Sequence, residues 1–233
     1  MADRFYTAQP LGVGEVALDA GEAHHLATVR RFAPGDAVTL FNGDGREYAA
    51  EVVSCGRKQV LLSVTAAVEA DRELPFALTV AAALPKGDRA ETMVEKLTEL
   101  GVTHFVPLLT TRSVVVPRDA TLAKLGRVVI EASKQCGRNR LMAVEPALTW
   151  PDFLAQHNSG LQLVLHTAPG GDSPTPQGHQ RVTLAVGPEG GFTAEEVVAA
   201  RAAGRSMLSL GARVLRVETA AIAAAAWAQF RSA

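Results

Sequence analysis

Two hydrophobic rhythms divide the chain. Up to about residue 70 the apolar positions fall in short runs separated by turn residues. Ala37–Phe41, Glu47–Ser54 and Val60–Val68 read as strands, and Asn42-Gly43-Asp44-Gly45 between the first two is a tight-hairpin signal. A short helical stretch, Glu22–Arg31, runs into the turn tripeptide Pro34-Gly35-Asp36. This pattern predicts a small β-sheet or barrel. The charged, proline-containing stretch Glu69–Pro75 marks its end, giving expected domains of 1–72 and 73–233.

From Phe76 onward strands and helices alternate. Phe76–Leu84 is a near-continuous apolar run, as expected of a strand buried on both faces of a parallel sheet. An amphipathic helix, Arg89–Leu100, follows and is stopped by Gly101; a strand, His104–Leu109, comes next. Leu122, Leu125, Val129 and Ala132 mark a longer helix over Ala120–Cys136. Strands are predicted at Leu161–His166, Val182–Val186 and Met207–Leu210, and helices at Thr193–Ala203 and Thr219–Phe230. The stretch Ala168–Gly178 reads as a proline- and glycine-rich loop. Such alternation predicts an α/β layer structure with a parallel sheet.

Composition narrows the class. No apolar run reaches the roughly 18 residues that span a bilayer, and Met1–Glu15 lacks the apolar core of a secretory signal, so a cytoplasmic protein is expected. Cys55 and Cys136 form no Cys-x-x-Cys pair and are expected to be reduced; no metal site is suggested. A net charge of −1 does not advertise a polyanionic partner, but its distribution is uneven. Residues 1–70 hold six Lys/Arg against nine Asp/Glu, whereas residues 118–140 hold six against two. A phosphate backbone would favour the second surface, although a solvated helix face has the same appearance.

Three segments carry candidate chemistry. In Val182–Glu196 a buried strand runs into Gly187-Pro188-Glu189-Gly190-Gly191, and a helix starts at Thr193, which forms a capping box with Glu196. The glycines open backbone groups to a ligand. No Lys-Ser or Lys-Thr follows them and the dinucleotide pattern is missing, so a phosphate loop is excluded. Glu189 suits a positively charged ligand better, though a plain strand-to-helix turn has the same sequence. The second segment is Ser209–Ala221, where a strand ends at Gly211 and an alanine-rich helix begins near Thr219. The third is Leu163–Thr167, a strand ending in His166. All three place loops at the carboxyl ends of strands, where open α/β sheets bind ligands.

GPEGGFT at Gly187–Thr193 and LGARVLRVETA at Leu210–Ala220 resemble the two C-terminal signatures of the RsmE family. KGDRAETMVEKLTELGV at Lys86–Val102, Arg112-Ser113 and EASKQCGR at Glu131–Arg138 resemble further blocks in the family's order. RFY at Arg4–Tyr6 and HHLATVRRFAPGD at His24–Asp36 are similar to its small β domain, so the resemblance spans the chain. It implies a PUA-like β-barrel RNA-binding domain followed by a SPOUT domain, a Rossmann-like parallel sheet whose chain end is threaded as a trefoil knot. It also implies an S-adenosyl-L-methionine-dependent enzyme that methylates uracil N3 of a specific uridine in 16S rRNA of the small ribosomal subunit, and thus a part in rRNA processing and ribosome biogenesis. A homodimer is implied, with the last helix at the interface.

By that resemblance the cofactor pocket comprises Leu165, His166 and Thr167; Gly187, Pro188, Glu189, Gly190 and Gly191; and Leu210, Gly211, Arg213, Val214 and Leu215. Catalytic candidates are Glu189 and Glu218 as the base, with Arg138, Arg213 and Arg216 for phosphate contact or stabilisation of anionic charge. Arg216 and Glu218 could instead brace the loop by pairing with each other. RNA contacts are expected from Arg4, Arg30, Arg31, Arg112, Lys134 and Arg138, and His24 and His25 read as structural or RNA-facing. The alternatives are a non-catalytic RNA-binding or ribosome-assembly protein of the same fold, and a SPOUT enzyme acting on transfer RNA or ribose hydroxyls.

Overall fold

The computed structural model describes residues 3–24, 26–27, 30–56, 59–156, 159–167 and 174–231, the side chain of Arg231 excepted. His25, and residues 168–173 of the expected loop, lie outside them. The chain forms two compact units: Met1–Glu73 with Ser133–Leu141, and Leu74–Ala132 with Met142–Ala233.

The first unit is a five-stranded sheet in the order β1-β3-β4-β5-β2, formed by β1 (Arg4–Tyr6), β2 (Gly14–Ala17), β3 (Ala37–Phe41), β4 (Arg46–Cys55) and β5 (Val60–Glu69). β1 pairs parallel with β3, and the other ladders are antiparallel. Among the described residues no ladder joins β1 to β2. Alternation along the strands puts Phe5, Leu40, Val52, Leu62 and Val64 into one core with Leu26. Of the helix expected at Glu22–Arg31, α1 covers Ala20–His24, residues 26–27 are also helical, residues 25, 28 and 29 lie outside the described residues, and Arg31 adopts φ 58°. His24 is exposed.

The second unit is built on a parallel sheet. Its main path runs β12-β10-β11-β6-β7-β8, through β12 (Ser206–Leu208), β10 (Leu161–Leu165), β11 (Arg181–Val186), β6 (Ala77–Ala82), β7 (His104–Leu109) and β8 (Ala143–Val144); β9 (Leu148–Thr149) also pairs with β7. Leu78, Val80 and Leu184 are fully buried, as central parallel strands require. On one face, Ala81, Val106, Val164 and Ala185 pack with Trp150 and Phe153 of α4 (Trp150–Ala155) and Ala200 of α5 (Ala194–Ala202). α6 (Val217–Arg231) packs on α2 (Arg89–Glu99) and on β6 and β11. It does so through Ala221, Ala224, Ala225 and Ala228, a buried stripe whose lack of bulk lets backbones approach closely. α3 (Asp119–Cys136) completes the elements; its last turn, from Ser133, groups with the first unit.

Candidate active site

Three loops leave the carboxyl ends of the adjacent parallel strands β10, β11 and β12, and together they line a cavity of about 380 Å³. Leu165, His166 and Thr167 follow β10, and the His166 N–H donates to Leu208 O at 3.0 Å, tying this loop to β12. Leu210, Gly211, Arg213, Val214 and Leu215 follow β12; Gly211 takes φ 110°, a conformation strained for any other residue. Gly187, Pro188, Glu189, Gly190 and Gly191 follow β11, where Gly191 N–H closes a turn on Pro188 O at 2.8 Å with φ 67°. Every residue expected in the cofactor pocket therefore lies on one cavity. Val186, Phe192, Leu208, Val217 and Ala220, which the sequence reading did not name, complete the lining with apolar surface.

The glycine loop is held from behind. Phe192 turns inward onto Trp150, with ring centroids 4.5 Å apart, and supports Gly187 from below: a Cβ there would lie 3.1 Å from two carbons of the Phe192 ring. Thr193 and Glu196 form the capping box that starts α5. Glu196 is buried, and its carboxylate also accepts from the N–H and hydroxyl of Thr111 at 2.8 and 3.0 Å. The loop after β7 is thereby fastened to the cavity wall. Arg112, expected to meet RNA, lies against the same wall and donates to Gly190 O at 2.6 Å. Glu195, at the first turn of α5, is held below the ordinary carboxylate range by hydrogen bonds from its own backbone N–H and the Thr193 hydroxyl, with help from the Arg112 charge.

The catalytic candidates divide. Glu189 lines the cavity, with a side chain 41% exposed. Arg216 is exposed between the lining residues Leu215 and Val217. Among the described residues Glu218 pairs not with Arg216 but with Arg89, which also faces Glu189. Nothing in the sequence pairs Arg89 with residues 100 or more positions away, so sequence reasoning missed it. Arg138 belongs to the first unit, where its guanidinium is buried against Glu73 at 2.5 and 3.1 Å. It is a structural cation, not an open anion site.

Two other expected RNA contacts are corrected in the same way. Lys134 is buried against Glu22 at 2.7 Å. Arg4 pairs with Glu47, donates to Arg138 O and to Asn139 Oδ1, and lies 4.8 Å over the Phe41 ring. Each lies where burial demands an opposite charge, and each has found one. The basic stretch 118–140 is consequently split: its last three cations belong to the first unit, and Lys124 pairs with Glu91 at 2.5 Å. Arg30 and Arg31 remain at the surface, Arg30 paired with Asp3. Among the described residues no cluster of three or more His, Cys, Asp or Glu could hold a metal ion, and no helix is long and apolar enough to cross a membrane.

Comparison with known proteins adds to this geometry. A family model described as an RNA methyltransferase domain matches residues 72–229, and one described as an RNA methyltransferase PUA domain matches residues 18–65. Ribosomal RNA small subunit methyltransferase E of Synechocystis is 35% identical, over 88% of this chain and 69% of its own length. The protein of that name from Bacillus subtilis is 31% identical, over 85% and 83%. Among solved structures, a Legionella pneumophila methyltransferase in complex with the cofactor SAM superposes with a TM-score of 0.92 at 34% identity, covering 100% of this chain and 98% of that one. A Neisseria gonorrhoeae ribosomal RNA small subunit methyltransferase E bound to S-adenosyl methionine gives 0.91 at 32%, with the same coverage. With both of its units matched and relatives above 30% identity across most of their length, the chain belongs to the ribosomal RNA small subunit methyltransferase E (RsmE) family.

Proposed function

We propose that this chain transfers a methyl group from S-adenosylmethionine to N3 of a uridine in 16S ribosomal RNA. One observation carries the reading: three loops at the carboxyl edge of the parallel sheet share a single cavity of small-molecule size. Its residues fit the cofactor. Val186, Phe192, Leu208 and Leu215 offer apolar walls for a flat ring, the glycine loop admits close backbone approach, and Glu189 offers a carboxylate to a cation. When bound, the cofactor supplies an electrophilic methyl group on a sulfonium.

The chain's own groups then have two tasks. Positioning is the first: walls that fix the donor beside one acceptor atom convert a bimolecular encounter into an intramolecular one. The second is proton removal. Uracil N3 carries a weakly acidic hydrogen, and Glu189 or Glu218 accepts it from N3. Arg213 and Arg216, exposed on the loop after β12, stabilise the uracil anion or meet the flanking phosphates. The PUA-like unit contributes RNA contacts through Arg30 and Arg31, in domains reaching over 1–72 and 73–233. A trefoil knot in the second of these, a homodimer with α6 at its interface, action on the small ribosomal subunit and a cytoplasmic location complete the proposal.

Methyl transfer decides the reading. The purified chain, given labelled S-adenosylmethionine and small subunits lacking the modification, is expected to label 16S RNA at one uridine, found as N3-methyluridine on nucleoside analysis. Label on a ribose or on transfer RNA would assign a different acceptor, and binding of RNA without transfer would favour the non-catalytic alternative.

A further inference from the structure

Arg89 opens α2 with its guanidinium facing two carboxylates from distant parts of the chain. Its Nη2 lies 3.5 Å from Glu189 Oε1, and its Nη1 lies 3.7 Å from Glu218 Oε1. Its Nε donates to Lys86 O at 3.2 Å, which fixes the plane of the group at its base. One cation thereby joins the turn into α2, the glycine loop and the first turn of α6. The two carboxylates stand differently. Glu189 lines the cavity and is substantially exposed, whereas the Glu218 side chain is only 13% exposed and its Oε2 is buried without a hydrogen-bond partner among the described residues. A carboxylate so placed is oriented by a nearby opposite charge, and among the described residues that charge is Arg89.

We propose that Arg89 is a positioning residue for the methyl-transfer reaction: it holds Glu218 aimed beside the cavity while keeping Glu189 turned along its wall. The proposal rests on the function given above. Arginine suits the task because two separate nitrogens on a rigid plane can face two carboxylates, whereas the lysine ammonium is a single point charge. A brace that merely stabilised the fold would affect melting temperature and activity together. A positioning residue separates them.

The test uses the full-length chain with Arg89→Ala, Arg89→Lys, Glu218→Gln and the Arg89→Ala/Glu218→Gln double variant. S-adenosylmethionine affinity is measured by calorimetry, methyl transfer to unmodified small subunits by steady-state kinetics, and folding by thermal melting. Arg89→Ala is expected to lower kcat roughly tenfold or more, a larger effect than its change in cofactor affinity. Arg89→Lys recovers part of that loss, and the double variant loses no more than the worse single one, because the two residues act as a unit. An active parent accompanied by unchanged kcat in Arg89→Ala, or by additive losses in the double variant, overturns the proposal. A parent chain that transfers no methyl group overturns the functional reading beneath it.

Discussion

A carboxylate that is only 7% exposed needs its lone pairs occupied, and Glu196 meets that need with three donors, two from the distant Thr111 and one from Thr193 of its own capping box. Glu196→Gln would turn an amide NH₂ toward some of those donors. It is expected to cost about 1–3 kcal/mol, read as a lower midpoint in urea unfolding. Gly187 and Gly190 are not equivalent. A Cβ at Gly187 meets the Phe192 ring at 3.1 Å, and that ring is wedged against Trp150, so Gly187→Ala is expected to weaken cofactor binding by about tenfold or more by deforming the wall. At Gly190 the added carbon meets the flexible Arg112 stem at 3.1 Å instead of entering the cavity, so Gly190→Ala is expected to weaken binding less. Calorimetric titration of both variants checks the order; equal losses would contradict it. The Thr193–Glu196 box was legible because both ends lie within one turn. Thr111 and Arg89 were not, because their partners are 85 and 100 positions away and only the fold brings them together.

Elements with a strong period read true: the run expected at His104–Leu109 is β7 residue for residue, and the helix expected at Ala120–Cys136 begins one position earlier. What escaped was short. α4 has six residues, too few to show a helical period, and Pro151 falls in its first turn. Its one local signal is Thr149, whose hydroxyl accepts from the Asp152 N–H at 3.3 Å as an N-cap. α5 rests on the stronger version of that device. Thr193→Ala is expected to destabilise the chain by about 1 kcal/mol, lowering the melting temperature by a few degrees. A larger loss of cofactor affinity than of stability would mean that the helix start positions the glycine loop directly. The basic stretch 118–140 was legible as charge but not in its destination, since its net count hides which cations are buried against carboxylates.

At the scale of the molecule, the division into a β unit and a parallel α/β unit could be read from the change of hydrophobic rhythm. The return of Ser133–Leu141 to the first unit could not, because nothing local marks those residues as belonging with a sheet more than 60 positions earlier. Their role there is electrostatic: Lys134, Arg138 and Asn139 meet Glu22, Glu73 and Arg4. A fragment ending at Glu73 would lose these partners, and it is expected to lack a cooperative melting transition. The same network sets a response to acid. Burial alone would raise the Glu47 carboxyl, but hydrogen bonds from Arg72 and Arg4 outweigh it and hold the group below its ordinary value of 4.5. Its stabilising contribution is therefore complete above that value and is lost as pH falls through the depressed one. Glu47→Gln is expected to flatten this part of the acid-unfolding curve.

In the proposed function the cavity formed by the loops after β10, β11 and β12 receives the methyl donor. Titration of the full-length protein with S-adenosylmethionine by calorimetry, beside Gly187→Ala, tests it most directly. Saturable binding by the parent and clearly weaker binding by the variant are expected. No heat of binding from a folded parent, or undiminished affinity in the variant, would contradict it.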